Sequence, residues 1–314
     1  MSAAVPSPAS APTSPRVRVV TAASLFDGHD AAINIMRRIL QDSGAEVIHL
    51  GHNRSVNEVV RAAIDEDAQG IAISSYQGGH NEYFRYILEL LREGGAEHIK
   101  VFGGGGGVIV PEEVEALHAD GVTRIFTPED GRRMGLQGMI NTMLSTCDVE
   151  PPNALDLDSA TLPAGDPKAH RLHAQCLTAA ERTGFGDSAL GRALQAAVDA
   201  IPQNKRTPVI GVTGTGGAGK SSLVDELVLR FLESSDDATI AIISVDPSRR
   251  KTGGALLGDR IRMNSLPHPR AYMRSFATRG ARGELSQATE DAVRFCRLAG
   301  FDWIIVETSG IGQG

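Results

Sequence analysis

Aromatic side chains are scarce in this chain, at 4% of its 314 residues. So few ring faces leave little with which to stack single-stranded bases. A net charge of −7 supplies no broad attraction to a phosphate backbone either. The expected partners therefore exclude nucleic acid. Cysteine is scarcer still: Cys147, Cys176 and Cys296 are far apart, odd in number and form no C-x-x-C pair. That argues against a disulfide framework or a thiolate metal site and fits a reduced, cytoplasmic setting. No run approaches the roughly 18 apolar residues of a membrane helix, so no membrane partner is expected. The opening MSAAVPSPASAPTSPR has neither the basic start nor the apolar stretch of a secretory signal. Residues 1–15, rich in Ala, Ser and Pro, read as a disordered leader.

What remains is ordinary globular composition, 41% hydrophobic and 22% charged, with length for about two domains. From residue 16 short apolar runs alternate with amphipathic stretches. Strands are expected at 16–22, 45–50, 70–75, 99–104 and 122–128. Helices are expected at 31–44, 55–67, 81–95, 111–121 and 131–147. Ser55 with Glu58 three residues on forms a capping-box signature, and Pro111 suits a first helical turn. Such alternation implies an α/β fold with a parallel sheet covered on both faces. Five strands suit the flavodoxin-like (Rossmann-like) order 2-1-3-4-5, with ligands bound beyond the carboxyl ends of strands 1 and 3. Residues 16–147 thus form a first domain. Residues 148–206 read as a linker, proline-rich and acidic at first and helical over 168–201 with a break at Gly184-Phe185-Gly186. A second α/β pattern starts at 207 and runs to 314.

Two constellations carry chemistry. Asp27-Gly28-His29 follows strand 1, Ser74 ends strand 3 and the run Gly103–Gly107 ends strand 4. All converge on one edge of the expected sheet. An Asp two residues before a His can accept the imidazole Nδ1–H, which leaves Nε2 free for a metal. The alternative is a loop histidine bonded to its neighbour. Consecutive glycines let a flat, bulky group approach the backbone. The second constellation is Gly214-Thr215-Gly216-Gly217-Ala218-Gly219-Lys220-Ser221, followed by Ser222, between an expected strand and an expected helix (221–234). In that context it is a phosphate loop. Its backbone N–H groups form an anion nest, Lys220 reaches β and γ phosphates and the Ser221 hydroxyl binds Mg²⁺. Strands at 240–246 and 302–308 end near Asp246 and Glu307, the latter at a Walker B-like position. Between them, 247–264 reads as a mobile loop able to fold over a γ-phosphate.

The first set resembles the cobalamin-binding domain of adenosylcobalamin-dependent acyl-CoA mutases, whose pattern is D-x-H-x-x-G, S-x-L, G-G. Here it stands as Asp27-Gly28-His29-Asp30-Ala31-Ala32, Ser74-Ser75-Tyr76 and Gly103-Gly104. Ala32 replaces a glycine and Tyr76 a leucine. Residues 33–73 and 77–102 intervene, as in that family. The resemblance implies that His29 ligates cobalt from below, in place of the cofactor's own dimethylbenzimidazole. It also implies that Asp27 supports His29, and that Ser74 with Gly103, Gly104 and Gly105 lines a slot for the nucleotide tail.

The second set resembles the GTPase chaperones of those mutases, whose pattern is VDPS, TGG, LGD, RM and ET-x-G-x-GQ. Here it stands as Val245-Asp246-Pro247-Ser248, Thr252-Gly253-Gly254, Leu257-Gly258-Asp259, Arg262-Met263 and Glu307-Thr308-Ser309-Gly310-Ile311-Gly312-Gln313. This implies Mg²⁺ contacts from Ser221, Asp246, Asp259, Glu307 and Thr308, and a nucleotide contact from Arg262. Lys220, Asp246 and Glu307 would then serve GTP hydrolysis.

The order of the two parts resembles the fused isobutyryl-CoA mutase family. That resemblance implies adenosylcobalamin, Mg²⁺ and GTP or GDP as ligands, a homodimer, an adenosyltransferase as cofactor source, and an acyl-CoA substrate held by a separate mutase domain. The sequence ends just after the second switch motif and holds no Asn-Lys-x-Asp guanine-reading element. It is therefore expected to be a piece of a longer polypeptide with an incomplete GTPase domain. Two alternatives stay open at this point: a methylmalonyl-CoA mutase relative, and a non-catalytic P-loop switch driven by a flavodoxin-like sensor domain.

Overall fold

The alternation of apolar runs and amphipathic stretches resolves into two parallel sheets. The structure, a computed structural model, describes residues 17–149, 163–164, 166, 169–187, 189–201, 207–249, 251–279 and 287–308, with backbone only for 182–187 and 189–190. The expected leader, residues 150–162 of the linker and the end of the second switch motif (309–314) lie outside the described residues.

The first part runs β1 (Arg18–Ser24), α1 (Ala31–Asp42), β2 (Glu46–Arg54), α2 (Val56–Asp65), β3 (Gly70–Ser74), α3 (His80–Glu93), β4 (Lys100–Gly104), α4 (Pro111–Asp120), β5 (Arg124–Phe126) and α5 (Pro128–Cys147). Next come α6 (His170–Asp187) and α7 (Ala189–Asp199). The second part runs β6 (Val209–Val212), α8 (Lys220–Ser234), β7 (Ile240–Asp246), β8 (Ala255–Leu257), a 3₁₀ turn at Asp259–Arg262, β9 (Ala271–Ala277), α9 (Gln287–Leu298) and β10 (Trp303–Thr308).

The first sheet has the order β5-β4-β3-β1-β2, the flavodoxin-like winding expected from the sequence. Adjacent residues on each strand face opposite sides. Val20, Ile71 and Val101 pack beneath α2, α3 and α4, while Val19, Ala72 and Phe102 pack beneath α1 and α5. The second sheet has the order β6-β10-β7-β9. Ile242 and Ile305 face α8; Ile243 and Ile304 face α9 and α6. Local signals set the helix starts. Ser55 Oγ accepts from Glu58 N–H at 3.3 Å while Glu58 Oε2 accepts from Ser55 N–H at 2.9 Å, an arrangement worth about 1 kcal/mol.

Three features depart from the expected pattern. Helix α6 runs through Gly184-Phe185-Gly186, where a break was expected. Strand β9 is additional. Most consequentially, the stretch expected to be a mobile loop contains β8 and the 3₁₀ turn, and β8 does not join the second sheet. It pairs in parallel with β2 as the sixth strand of the first sheet, with Glu46, Val47 and Ile48 opposite Ala255, Leu256 and Leu257.

Around that junction lies a buried lattice of charge. Arg18 pairs with Glu46 and Glu181 at 2.9 Å each and with Glu66 at 3.3 Å. Arg274 pairs with Glu181 at 3.0 Å, Arg279 with Glu46 at 2.7 Å, and Arg260 with Glu66 at 3.1 Å and with Asp65. Such pairs add little net stability over apolar packing, but removing one partner strands a buried charge at a cost of about 3–5 kcal/mol. The lattice therefore fixes how the two parts seat.

Candidate functional site

The first site sits where β1 and β3 end, at the reversal of strand order. Asp27 is fully buried. Its Oδ2 accepts from Tyr76 N–H at 2.6 Å, and its Oδ1 accepts from His29 N–H at 2.8 Å. Burial alone would raise the Asp27 pKa, but these backbone donors and the His29 ring lower it. An ionised carboxylate can only accept, so the His29 ring nitrogen 2.9 Å from Oδ1 carries the proton. That assigns Nδ1–H to Asp27 and leaves Nε2 as the ring nitrogen not engaged by Asp27. The His29 side chain is 65% exposed.

Beside this pair opens an apolar cavity of about 330 Å³, between the β3 and β4 strand ends and helices α1 and α5. Ile33, Met36, Phe126 and Met139 line it, with Ser74 and Gly103–Gly106. Ser74 Oγ is buried and has no hydrogen-bond partner. A deep apolar slot with one unpaired hydroxyl fits a flat heteroaromatic base that brings an acceptor nitrogen. The glycine run has a second origin besides the slot. A Cβ on Gly103 would strike the Phe84 ring, and one on Gly105 would strike the Ser75 carbonyl oxygen. Core packing already demands glycine at both positions.

Sequence reasoning missed the supports of this site. Phe26 and Asn53 are non-glycine residues with φ of 65° and 57°, and Phe26 N–H donates to Asn53 Oδ1 at 2.9 Å. Local strain of this kind persists only where surroundings enforce it. The Tyr76 ring lies 5.8 Å from the His29 ring, centre to centre. Positive φ at a non-glycine leaves no mark in composition or period.

The second site is built by β6, α8, β7 and β10. Gly214, Gly217 and Gly219 have positive φ, and Gly219 caps α8, as an anion nest at a helix N-terminus requires. A cavity of about 420 Å³ is lined by Gly216–Ser222, Asp246, Asp259, Arg262, Glu307 and Thr308. Every residue expected to touch nucleotide or Mg²⁺ thus borders one space, except Gly214. Its carbonyl instead accepts from Lys220 Nζ at 3.1 Å. Ser221 Oγ donates to Glu307 Oε1 at 2.8 Å and lies 3.2 Å from Asp259 Oδ1. Ser244 Oγ donates to Asp259 Oδ2 at 2.6 Å, and Arg262 donates to Asp259 Oδ1 at 3.0 Å.

Asp246 Oδ2 and Glu307 Oε2 are buried without partners. Burial and the neighbouring Asp259 push both carboxyls above their ordinary pKa, Asp246 by far the more. Mutually repelling, unpaired carboxylates fit a cation. Among the described residues no group of three or more His, Cys, Asp or Glu side chains is gathered tightly enough to hold a metal alone.

The fold and these two sites define a cobalamin-binding α/β unit joined to a P-loop GTPase unit. Residues 17–132 match the B12 binding domain family, and residues 173–314 match the methylmalonyl-CoA mutase-associated GTPase MeaB family. The chain is 61% identical over 300 residues to the fused isobutyryl-CoA mutase of Geobacillus kaustophilus, and 62% identical over 304 residues to that of Cupriavidus metallidurans. Each match covers 95% of this chain and 27% of the relative. The corresponding protein of Nocardia farcinica is 56% identical over 299 residues. The chain is thus similar to the cobalamin-binding and GTPase portion of the fused isobutyryl-CoA mutases. It spans about a quarter of the length of these relatives.

Proposed function

We propose that this chain holds adenosylcobalamin for an isobutyryl-CoA mutase and that GTP hydrolysis on the same chain gates loading and protection of the cofactor. The observation that carries the reading is the outward His29, tied through Nδ1 to the buried carboxylate of Asp27 at the lip of an apolar slot. Nε2 of His29 would hold cobalt, Asp27 would keep its lone pair directed outward, and Ser74 with Gly103–Gly105 would hold the displaced base. When bound, adenosylcobalamin supplies a homolysable cobalt–carbon bond, the radical source for interconverting isobutyryl-CoA and n-butyryl-CoA. The acyl-CoA would be held by a further domain of the whole protein. A homodimer and an adenosyltransferase donor belong to the same proposal.

In the GTPase unit the loop amides and Lys220 would hold the β and γ phosphates, Lys220 first leaving the Gly214 and Thr215 carbonyls it now contacts. Ser221, Asp246, Asp259, Glu307 and Thr308 would hold Mg²⁺, and Arg262 would face the phosphates. We assign residues 16–147 to the cobalamin-binding domain and 207–314 to the GTPase domain, with 148–206 between them.

The test is an absorption titration with adenosylcobalamin, run beside His29→Ala. The expected result is a wild-type spectrum with dimethylbenzimidazole displaced from cobalt, and loss of that signature in the variant. A wild-type chain that leaves the spectrum unchanged and retains no cofactor on desalting would remove the reading.

A further inference from the structure

Asp65 closes α2 and Glu66 follows it; both are buried. Acidic groups at a helix C-terminus oppose the helix dipole, and burial adds to the cost. Within the cobalamin-binding unit itself Arg18 reaches Glu66 at 3.3 Å and Arg61 reaches Asp65. The partners of the two carboxylates come mostly from elsewhere. Asp65 accepts from Arg61 at 3.0 Å and sits 2.8 Å from His170 Nδ1. Glu66 accepts from the Ser275 N–H at 3.0 Å and the Ser275 hydroxyl at 2.9 Å. The guanidinium of Arg260 then bridges both carboxylates and donates to the Met273 carbonyl at 3.1 Å.

Arg260 lies between Asp259 and Arg262 in one 3₁₀ turn. Asp259 and Arg262 line the phosphate-loop cavity; Arg260 points into the other unit. The same turn is wedged against β2 by Ile261. A Cβ added to Gly51 would lie 2.8 Å from Ile261 Cδ1. A four-residue turn thus faces the nucleotide site on one side and grips the cobalamin-binding unit on the other.

We propose that Asp65 and Glu66 are positioning residues for the nucleotide site: acting through Arg260, they hold the Asp259–Arg262 turn against the phosphate loop, so that the cobalamin-binding unit sets the Mg²⁺-dependent part of nucleotide affinity. The proposal rests on the reading of that cavity as an Mg²⁺–GTP site. Asp259 contacts the Ser221 hydroxyl directly, so a displaced turn disturbs the cation side of the site. The loop amides that hold the phosphates lie on a different segment and stay in place. Coupling of this kind is reciprocal, so occupancy of the nucleotide site also tightens the grip on α2.

The experiment uses the whole chain and a fluorescent methylanthraniloyl-GDP, titrated with Mg²⁺ and with EDTA. Glu66→Gln is expected to weaken binding in Mg²⁺ by about tenfold or more and to change binding in EDTA by less than about twofold. Arg260→Lys keeps the charge but loses the planar fork that spans both carboxylates, and is expected to show the same split. A general loss of stability would weaken both conditions together. In the wild-type chain, hydrogen exchange at the C-terminal turn of α2 is expected to slow when Mg²⁺ and GDP bind. A folded variant with the wild-type Mg²⁺ dependence, or unchanged exchange at α2 with the site saturated, overturns the proposal. Lys220→Ala separates the two readings. If it binds nucleotide as well as the wild type, the nucleotide-site assignment itself fails.

Discussion

Asp27, fully buried, and Asp246, half-buried, are both carboxylates near strand ends, yet their surroundings drive them in opposite directions. Asp27 is lowered by hydrogen-bond donors despite burial, whereas Asp246 is raised by burial and by Asp259. One is satisfied without a ligand and the other is not. Because the ionised form of Asp246 is disfavoured in the folded chain, it subtracts stability as pH climbs from the unfolded carboxylate range through its raised folded pKa. Asp246→Asn should therefore raise the thermal midpoint of the metal-free chain near neutral pH. The same change should abolish the further rise that Mg²⁺ with GDP gives the wild type. A scan of midpoint against Mg²⁺ for both chains checks this, and a midpoint that falls in the metal-free variant would contradict it.

At the scale of elements, β8 is the feature with the largest reach for its three residues. Its approach is set by Gly254, where an added Cβ would strike the Gln41 carbonyl oxygen, and by Ala255 N–H, which donates to Ala45 O at 3.1 Å. Gly254→Val should expel the strand from the edge of β2. The expected outcome is faster hydrogen exchange along Glu46–Ile48 while the strands β3 and β4 keep their protection; equal protection everywhere would count against the docking. This strand also marks where the sequence stopped being legible. Asp27-x-His29 and the phosphate loop are contiguous, so which residues gather at each site could be read from local spacing. The winding order followed from the alternation of elements. The seating of β8 depends on partners far along the chain, and the Arg260–Asp65 pair spans 195 positions. Strand β9 was hidden for a related reason. AYMRSFA carries Arg274 at its centre, which looks solvent-facing until Glu181 and Thr178 are placed against it. The glycine run was read as clearance for a ligand, whereas Phe84 and Ser75, distant in sequence, impose Gly103 and Gly105.

Across the whole molecule the charged lattice makes folding of the two parts pH-dependent. Burial alone would raise the carboxyl of Glu46, but Arg18 and Arg279 hold it down at about 2, against an ordinary 4.5. Arg61, His170 and Arg260 likewise keep Asp65 well below the usual carboxylate range despite burial. Groups with depressed folded pKa give their full contribution above the unfolded value and lose it as pH falls through the folded one. Stability should therefore decline from about pH 4.5 towards pH 2, by a few kcal/mol for Glu46. Glu46→Gln should be less stable at neutral pH and flatter over that acid range, which thermal midpoints against pH would report. A parallel slope in the variant would assign the acid sensitivity elsewhere.

The chain leaves the first sheet at β5, builds β6 and β7 of the second, returns once to lay β8 along β2, and then completes the second sheet with β9 and β10. The two units are laced together as well as joined end to end. Severing them at the linker would not release two finished modules. The half that ends near residue 149 would present the outer rim of Glu46–Ile48, bare backbone flanked by buried aliphatic side chains, to any other strand in solution. It would also uncover Glu46 and Glu66 without their arginines from the second part. Attempts to make the cobalamin-binding half by itself should thus meet self-association before any question of cofactor arises, and supplying residues 252–258 as a free peptide is the natural remedy.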